Sequence, residues 1–413
     1  MNLYLFNANV SAARYGIGTY LKELTLAMEG ADVHLHIVHL HSSHRKFEIE
    51  KTNHVENWYV PEVQNHNTYF GSVQNLEDYC RNVIYLLRLH IRDTKDLVFH
   101  FNFSQYPFLA KELKAIFNCK TVNTVHYTKW ALKLHGNLSQ LHAIKKKSEN
   151  QRSSFEQLLY SIDEYEGLFY KEVDRIIVLS QYAQSHLCSE YRINLDKITV
   201  IPNGPEDASP LMETDRDVLR RKWLISGKES VILFTGRLQS VKGLPFLIKS
   251  FRKVLEKIPD CRLMIVGNGE FDIYMKECED VWTHVTWTGL LSKDKLYELY
   301  SIADMGVMPS FHEQCSYVAI EMMMHRLPLI ASTSTGLKEM VEDEKTGLHI
   351  PVIEYDDNVE IDTDLLAEKI LYLLQHPDER QRMGQNARKR YEEQYSMEVF
   401  RKNMLDFYHS LFE

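Results

Sequence analysis

Short apolar runs alternate with longer amphipathic stretches along the whole chain. Leu3–Phe6 reads as a first strand, the loop after it ends at Gly16-Ile-Gly18, and Thr19–Met28 has helical spacing. Val33–Leu40 interleaves apolar residues with histidine, the pattern of a second strand. Asn75–His90 has helical spacing, and Ser139–Tyr170 is long, polar and largely helical in pattern. Leu97–Phe101, Thr121–His126, Arg175–Leu179 and Ile198–Ile201 are further strands. Pro202-Asn-Gly-Pro205 and the charged stretch 206–222 then punctuate the chain, and the linker between two domains is placed there.

A second series begins at Val231–Thr235 and continues through a helix at 244–257. Its other strands are Leu263–Val266, His284–Trp287, Met305–Met308 and Leu329–Ala331, and the tail 363–412 is almost all helix. Two successive β-α series predict two parallel sheets, each covered by helices on both faces. The expected class is α/β: two Rossmann-like, doubly wound domains facing a central cleft. Ligands of such sheets bind beyond the carboxyl ends of the strands.

The chain's 413 residues are enough for two or three domains, and 44% hydrophobic with 25% charged residues excludes a disordered or fibrous chain. A formal charge of −9 argues against general nucleic-acid binding. Six scattered cysteines without a CxxC pair read as reduced thiols of a cytoplasmic protein. The 19 histidines form no metal-binding spacing, so no metal site is expected. The opening Met1–Asn7 has no basic region and only a short apolar run, and no run approaches the roughly 18 apolar residues of a membrane span.

Four places carry candidate chemistry. Gly16 and Gly18 let backbone approach a ligand before a helix, although the pattern is neither a dinucleotide fingerprint nor a P-loop. Taken alone, it is better read as a tight turn. Arg237 and Lys242 lie five residues apart after the strand VILFT; the two cations suit one phosphate, and a solvated basic turn fits equally well. Glu313 lies in a loop and Glu321 nearly two turns into the helix that starts near Cys315. The amides of Cys315, Ser316 and Tyr317 suit a phosphate, and two carboxylates beside it suit sugar hydroxyls; alone, a capped helix with a surface glutamate is the commoner meaning. His126 ends an apolar strand, where histidine is more often structural than catalytic.

Their combination resembles the retaining family-4 glycosyltransferases of the GT-B fold (glycosyl transferases group 1). The resemblance rests on YGIGTYLKEL at 15–24, VDRIIVLSQYAQ at 173–184, ITVIPNG at 198–204 and ILFTGRLQSVKGLPFLI at 232–248. It continues with LMIVGNGE at 263–270, VTWTGLLSKDKLYELYSIADMGVMPS at 285–310, EQCSYVAIE at 313–321 and LPLIASTSTGLKEMVEDEKTGLHIP at 327–351. It implies an acceptor-side domain 1–205, a nucleotide-sugar domain 206–394, and a last helix, 395–413, packing back on the first domain. It further implies that Arg237 and Lys242 contact the donor's distal phosphate, that Glu313 takes hydroxyls of the transferred sugar, and that Glu321 takes the ribose. Cys315, Ser316 and Tyr317 would support the diphosphate, Gly289 and Leu290 would frame the base, Gly16 and Gly18 would approach the phosphate, and His126 the sugar or phosphate.

The implied activity is metal-independent transfer of a sugar, with retention, from a nucleotide-sugar (a UDP-sugar by default) to a glycan, lipid-linked or protein acceptor. The alternatives are a non-catalytic partner subunit, or a GT-B phosphorylase or nucleotide-sugar epimerase. Two departures stand out: Met322-Met-Met and Arg326 replace the family's small residues and glycine, and the first loop is GIG. Finally, 129–147 mixes Trp130 with Lys129, Lys133 and Lys145–Lys147. It reads either as a bulky-acceptor or peripheral membrane contact, or as the solvated face of a long helix, about twice as common a meaning.

Overall fold

The computed structural model describes residues 1–8, 16–52, 54–62, 73–92, 95–209 and 215–413. They form two compact units. The first comprises Met1–Lys129, Glu149–Pro202 and Phe400–Glu413, the second Trp130–Ser148 and Asn203–Val399.

The sheet of the first unit is built from β1 (Asn2–Ala8), β2 (His34–Ser42), β3 (Glu48–Thr52), β4 (Val55–Pro61), β5 (Leu97–Phe101), β6 (Cys119–Val125), β7 (Arg175–Val178) and β8 (Ile198–Val200). Their order across the sheet is β3-β4-β2-β1-β5-β6-β7-β8. All neighbours are parallel except the edge pair β3–β4. The order reverses between β1 and β5. These central strands are buried on both faces, so they read as continuous apolar runs.

The second unit repeats the plan with β9 (Ser230–Thr235), β10 (Cys261–Val266), β11 (Val285–Gly289), β12 (Met305–Met308), β13 (Leu329–Ser332) and β14 (Gly347–Ile350). Their order is β11-β10-β9-β12-β13-β14, all parallel, with the switch point between β9 and β12. The helix Leu244–Leu255 places Leu247, Ile248, Phe251 and Val254 on this sheet's core. A short antiparallel ribbon, β15 (Val352–Glu354) and β16 (Val359–Ile361), follows.

The expected strands all appear, with ends shifted by one or two residues. Three features differ. The first helix begins at Gly16 rather than Thr19, so Gly16 and Gly18 lie within it; Arg14 and Tyr15 of that motif lie outside the described residues. The stretch read as one long helix over 139–170 is Leu138–Lys146 and Ser154–Glu172, the latter opened by a capping box of Ser153 and Glu156.

Third, Trp130–Ser148 belongs to the second unit, not to the acceptor-side wall expected of the first. The side-chain amide of Asn137 donates to the carbonyls of Tyr355 (2.7 Å) and Asn358 (3.1 Å). A Cβ on Gly136 would lie 2.8 Å from the Phe311 carbonyl oxygen. Trp130, Leu134, Leu141 and Ile144 are buried. The apolar face that a membrane-surface helix needs is therefore turned inward, which removes the basis of the membrane reading of 129–147. Among the described residues no helix is long and apolar enough to cross a membrane.

Candidate functional site

In the second unit Arg237, Lys242 and Glu313 lie on the loops that leave β9 and β12, at the switch point where open α/β sheets bind ligands, while Gly289 and Leu290 leave β11 at the sheet's edge. The loop after β9 runs from Gly236 to Gly243 and carries Arg237 and Lys242. Its middle is fixed to the neighbouring loop: the Leu238 amide donates to the Asn268 carbonyl at 2.8 Å, and the Glu270 amide to the Leu238 carbonyl at 2.9 Å. Lys242 closes a 3₁₀ turn, and Gly243, at φ +68°, turns the chain into the helix Leu244–Leu255. A Cβ on Gly243 would sit 2.0 Å from the Pro309 carbonyl oxygen. Glycine is thus required twice there, by the left-handed backbone and by the close approach of the loop after β12.

That approach brings Lys242 to Glu313. Their charged atoms are 2.5 Å apart, with side chains 17% and 13% exposed. Glu313 is held by its own backbone: its amide donates to Thr335 Oγ1 at 3.0 Å, and its carbonyl accepts from Thr335 Oγ1 and from the Gly336 amide at 2.8 Å. Arg237 is half-buried at the start of the same loop as Lys242. His135, which the sequence reading gave no role, also reaches this loop, its Nε2 lying 2.9 Å from Ser240 Oγ.

The helix Tyr317–Met324 starts beyond Glu313, capped by Ser316, whose Oγ accepts from the Ala319 amide. The Ser316 amide is directed at Met340 Sδ (3.2 Å), so this expected phosphate donor already has a partner. The Cys315 carbonyl accepts from the side-chain amide of Asn203 at 2.8 Å. Burial pushes the Cys315 thiol up to about 12, which leaves it protonated and unreactive.

Glu321 is buried in a different setting. Lys293 Nζ lies 3.2 Å from its Oε1, and the Tyr300 hydroxyl donates to its Oε2 at 3.2 Å. Burial raises its pKa above the usual 4.5, opposed chiefly by Lys293. Lys293 and Tyr300 come from the helix Lys293–Ile302, just after Gly289 and Leu290. Gly289 ends β11 at φ +69°, and Leu290 is 68% exposed. Lys293 was missed by sequence reasoning, although SKDKLYEL places a lysine at that helix's first turn.

Gly16, Gly18 and His126 lie in the first unit. Gly16 opens the helix Gly16–Met28, whose first amides have no partner within the helix. His126 follows β6; its ring meets Tyr20 edge-on at 4.6 Å, and its Nε2 lies 3.0 Å from Asn102 Oδ1. The Asn102 side-chain nitrogen donates to the Phe6 carbonyl, so its oxygen faces the histidine. Nε2 therefore carries the proton, and Nδ1 is an acceptor. Burial pushes the His126 pKa down to about 3, so the ring is neutral near pH 7. Beside it, His100 bridges Thr124 and the Tyr408 hydroxyl, both at 2.7 Å, which ties the last helix, Met397–His409, into this sheet.

Two doubly wound units, with cations and carboxylates at the switch point of the second, define a GT-B fold. Both halves match family models: "Glycosyltransferase Family 4" over residues 15–207 and "Glycosyl transferases group 1" over 215–390. The chain belongs to the family-4 glycosyltransferases.

It is 29% identical, over 254 residues, to an uncharacterized glycosyltransferase of Methanocaldococcus jannaschii. That match covers 60% of this chain and 63% of the relative, so less than two thirds of the relative's length is spanned. In structure it resembles sucrose-phosphate synthase from Thermosynechococcus elongatus (TM-score 0.76, 20% identity, 100% of this chain and 99% of that one). It also resembles Anabaena HepE in complex with UDP-glucose (TM-score 0.69, 15% identity, 99% of this chain and 100% of that one).

Proposed function

We propose that the chain transfers a sugar from a nucleotide-sugar, a UDP-sugar, to an acceptor hydroxyl, with retention of configuration and without a metal. The observation that carries this reading is the convergence of Arg237, Lys242 and Glu313 on adjoining loops at the switch point of the second sheet. The likeness to a fold solved with UDP-glucose supports the choice of donor.

In the proposed reaction the bond between the sugar's anomeric carbon and the distal phosphate oxygen breaks. Arg237 and Lys242 stabilise the charge that develops on the leaving diphosphate. The acceptor oxygen attacks from the face the diphosphate leaves, and its proton passes to the departing phosphate oxygen. Lys242 exchanges Glu313 for phosphate when the donor binds, before the bond breaks, and this frees the Glu313 carboxylate for hydroxyls of the transferred sugar. Glu321 accepts from the ribose, and Leu290 packs on the base.

With two cations in that role, turnover of the donor is expected to be the same in EDTA as in Mg²⁺. Loss on chelation, restored by Mg²⁺ or Mn²⁺, would contradict the mechanism. The reading as a whole is tested by donor hydrolysis across UDP-glucose, UDP-galactose, UDP-N-acetylglucosamine and GDP-mannose. Release of the sugar first as the anomer present in the donor supports retention; no turnover of any donor contradicts the reading.

The two glutamates separate by assay. Glu321→Ala is expected to weaken UDP binding about 10–100-fold, the equivalent of a charged hydrogen bond of ~1.5–3 kcal/mol. Glu313→Ala spares UDP binding and damages transfer. Because burial raises the Glu321 pKa, it takes up a proton at a pH above 4.5. UDP affinity therefore falls as the pH drops through that window, and Glu321→Gln, with nothing to titrate there, loses this part of the pH dependence. Calorimetry across pH 4.5–7.5 reads both effects; equal UDP binding by the wild type, Glu321→Ala and Glu313→Ala would show that these roles are wrong.

A further inference from the structure

Glu321 is almost fully buried, its side chain 6% exposed, yet the task proposed for it is to accept a hydrogen bond. Burial penalises the charged form of a carboxylate, and once protonated the group gives up part of its accepting capacity and becomes a donor. The groups that act against this surround it on two sides. From the helix Lys293–Ile302, the Lys293 ammonium lies 3.2 Å from Oε1, the Tyr300 hydroxyl donates to Oε2 at 3.2 Å, and Tyr297 also hydrogen-bonds the carboxylate. At the end of Glu321's own helix, His325 Nδ1 donates to the Glu321 carbonyl at 2.8 Å, and burial holds the pKa of that ring below 6.5. Beyond His325, Arg388 of the helix Pro377–Arg390 pairs with Asp207 at 2.5 Å, so the two charges offset each other.

Lys293 brings the positive charge to the carboxylate, and the aromatic rings fix the geometry. Tyr297, Tyr300 and His325 pack on one another, with centroids 6.0 Å (Tyr297–Tyr300), 4.7 Å (Tyr297–His325) and 5.4 Å (Tyr300–His325) apart. Lys293 lies one helical turn before Tyr297, and its Nζ is 6.0 Å from the centre of that ring. This directs the ammonium at Glu321 while 45% of the lysine side chain stays exposed. Lys293 therefore loses little hydration, and the desolvation falls almost wholly on the glutamate. An ionised carboxylate has about four acceptor positions; Lys293, Tyr297 and Tyr300 use three and leave one for a ligand hydroxyl. Unlike Lys242, Lys293 has no partner to give up when the donor binds.

We propose that Lys293 is a positioning residue of the donor site: its ammonium keeps the Glu321 carboxylate ionised at neutral pH, and so able to accept from a ribose hydroxyl. The proposal rests on the ribose role of Glu321 given above, and adds to it the residue that sets the pH range in which that role operates.

The test is calorimetry of UDP binding to the full chain from pH 5.5 to 8.5, for the wild type, Lys293→Gln, Lys293→Arg and Glu321→Gln. Ionisation of UDP itself is common to all four and cancels in the ratio of wild-type to variant affinity. Lys293 is partly exposed at the first turn of its helix, so its substitution leaves the core intact. The ratio for Lys293→Gln is expected to grow about tenfold or more as the pH falls, because losing a positive charge at this distance moves a carboxyl upward by about 1–3 pH units. Lys293→Arg keeps the charge, and its ratio should stay flat. A purely structural role for Lys293 would change affinity by the same factor at every pH.

A flat ratio for Lys293→Gln, or a ratio for Lys293→Arg that follows that of Lys293→Gln, would overturn the proposal and leave the ribose role of Glu321 standing. UDP binding by Glu321→Gln equal to that of the wild type at every pH would overturn the ribose role instead.

Discussion

Arg237→Ala and Lys242→Ala are each expected to lower turnover of the nucleotide-sugar by about 10²–10³, the loss typical when one group that stabilises transition-state charge is removed. The fold should persist, because neither side chain belongs to the apolar core of the second sheet. Lys242→Ala is expected to be the more damaging. It removes a cation and also leaves the Glu313 carboxylate, which is 13% exposed, without its partner and facing the diphosphate. Adding Glu313→Gln to Lys242→Ala should therefore recover part of the lost UDP affinity, although transfer stays impaired. Steady-state kinetics and calorimetry read these outcomes. Wild-type turnover in either single variant would remove the pair from the mechanism.

Gly243→Ala should lower stability more than any substitution discussed above, by about 3 kcal/mol or more, the range reserved for backbone clashes and strain. Two costs add. A left-handed backbone costs a residue with a Cβ about 1–2 kcal/mol. The new methyl would also lie 2.0 Å from the Pro309 carbonyl oxygen, a backbone atom one residue past the end of β12. Gly289 separates the two terms. Its φ of +69° is nearly the same, but a Cβ there meets nothing within 4 Å. Gly289→Ala should therefore show only the backbone cost, and the difference in thermal unfolding midpoint between the two variants reports the clash. Similar midpoints would mean that the loops after β9 and β12 are less tightly joined than described.

The strands that position the site were legible because a parallel sheet buried on both faces leaves unbroken apolar runs. Val231–Thr235 and Met305–Met308 are examples. β3 and β4 were not, because Glu48–Thr52 is a largely exposed, charged edge strand and its partner Val55–Pro61 is only partly buried. The break between Lys146 and Ser154, inside the stretch read as one helix, was missed for a related reason: polar residues run unbroken through 147–153, and no glycine or proline marks the turn.

At the site, Arg237 and Lys242 could be picked out by their place after a strand. The pairing of Lys242 with Glu313 spans 71 residues and follows from the strand order at the switch point, which no local pattern encodes. The same holds for Lys293 beside Glu321. Trp130 misled in the opposite direction: a tryptophan among lysines suggests a surface, and it is 1% exposed.

The most direct measurement of the central claim is a crystal structure of the chain with UDP bound. The account predicts the diphosphate on the loop Gly236–Gly243, with oxygens within hydrogen-bonding distance of both Arg237 and Lys242, and the ribose on Glu321. UDP bound elsewhere, or a diphosphate that leaves the Lys242–Glu313 pair intact and touches neither cation, would contradict it.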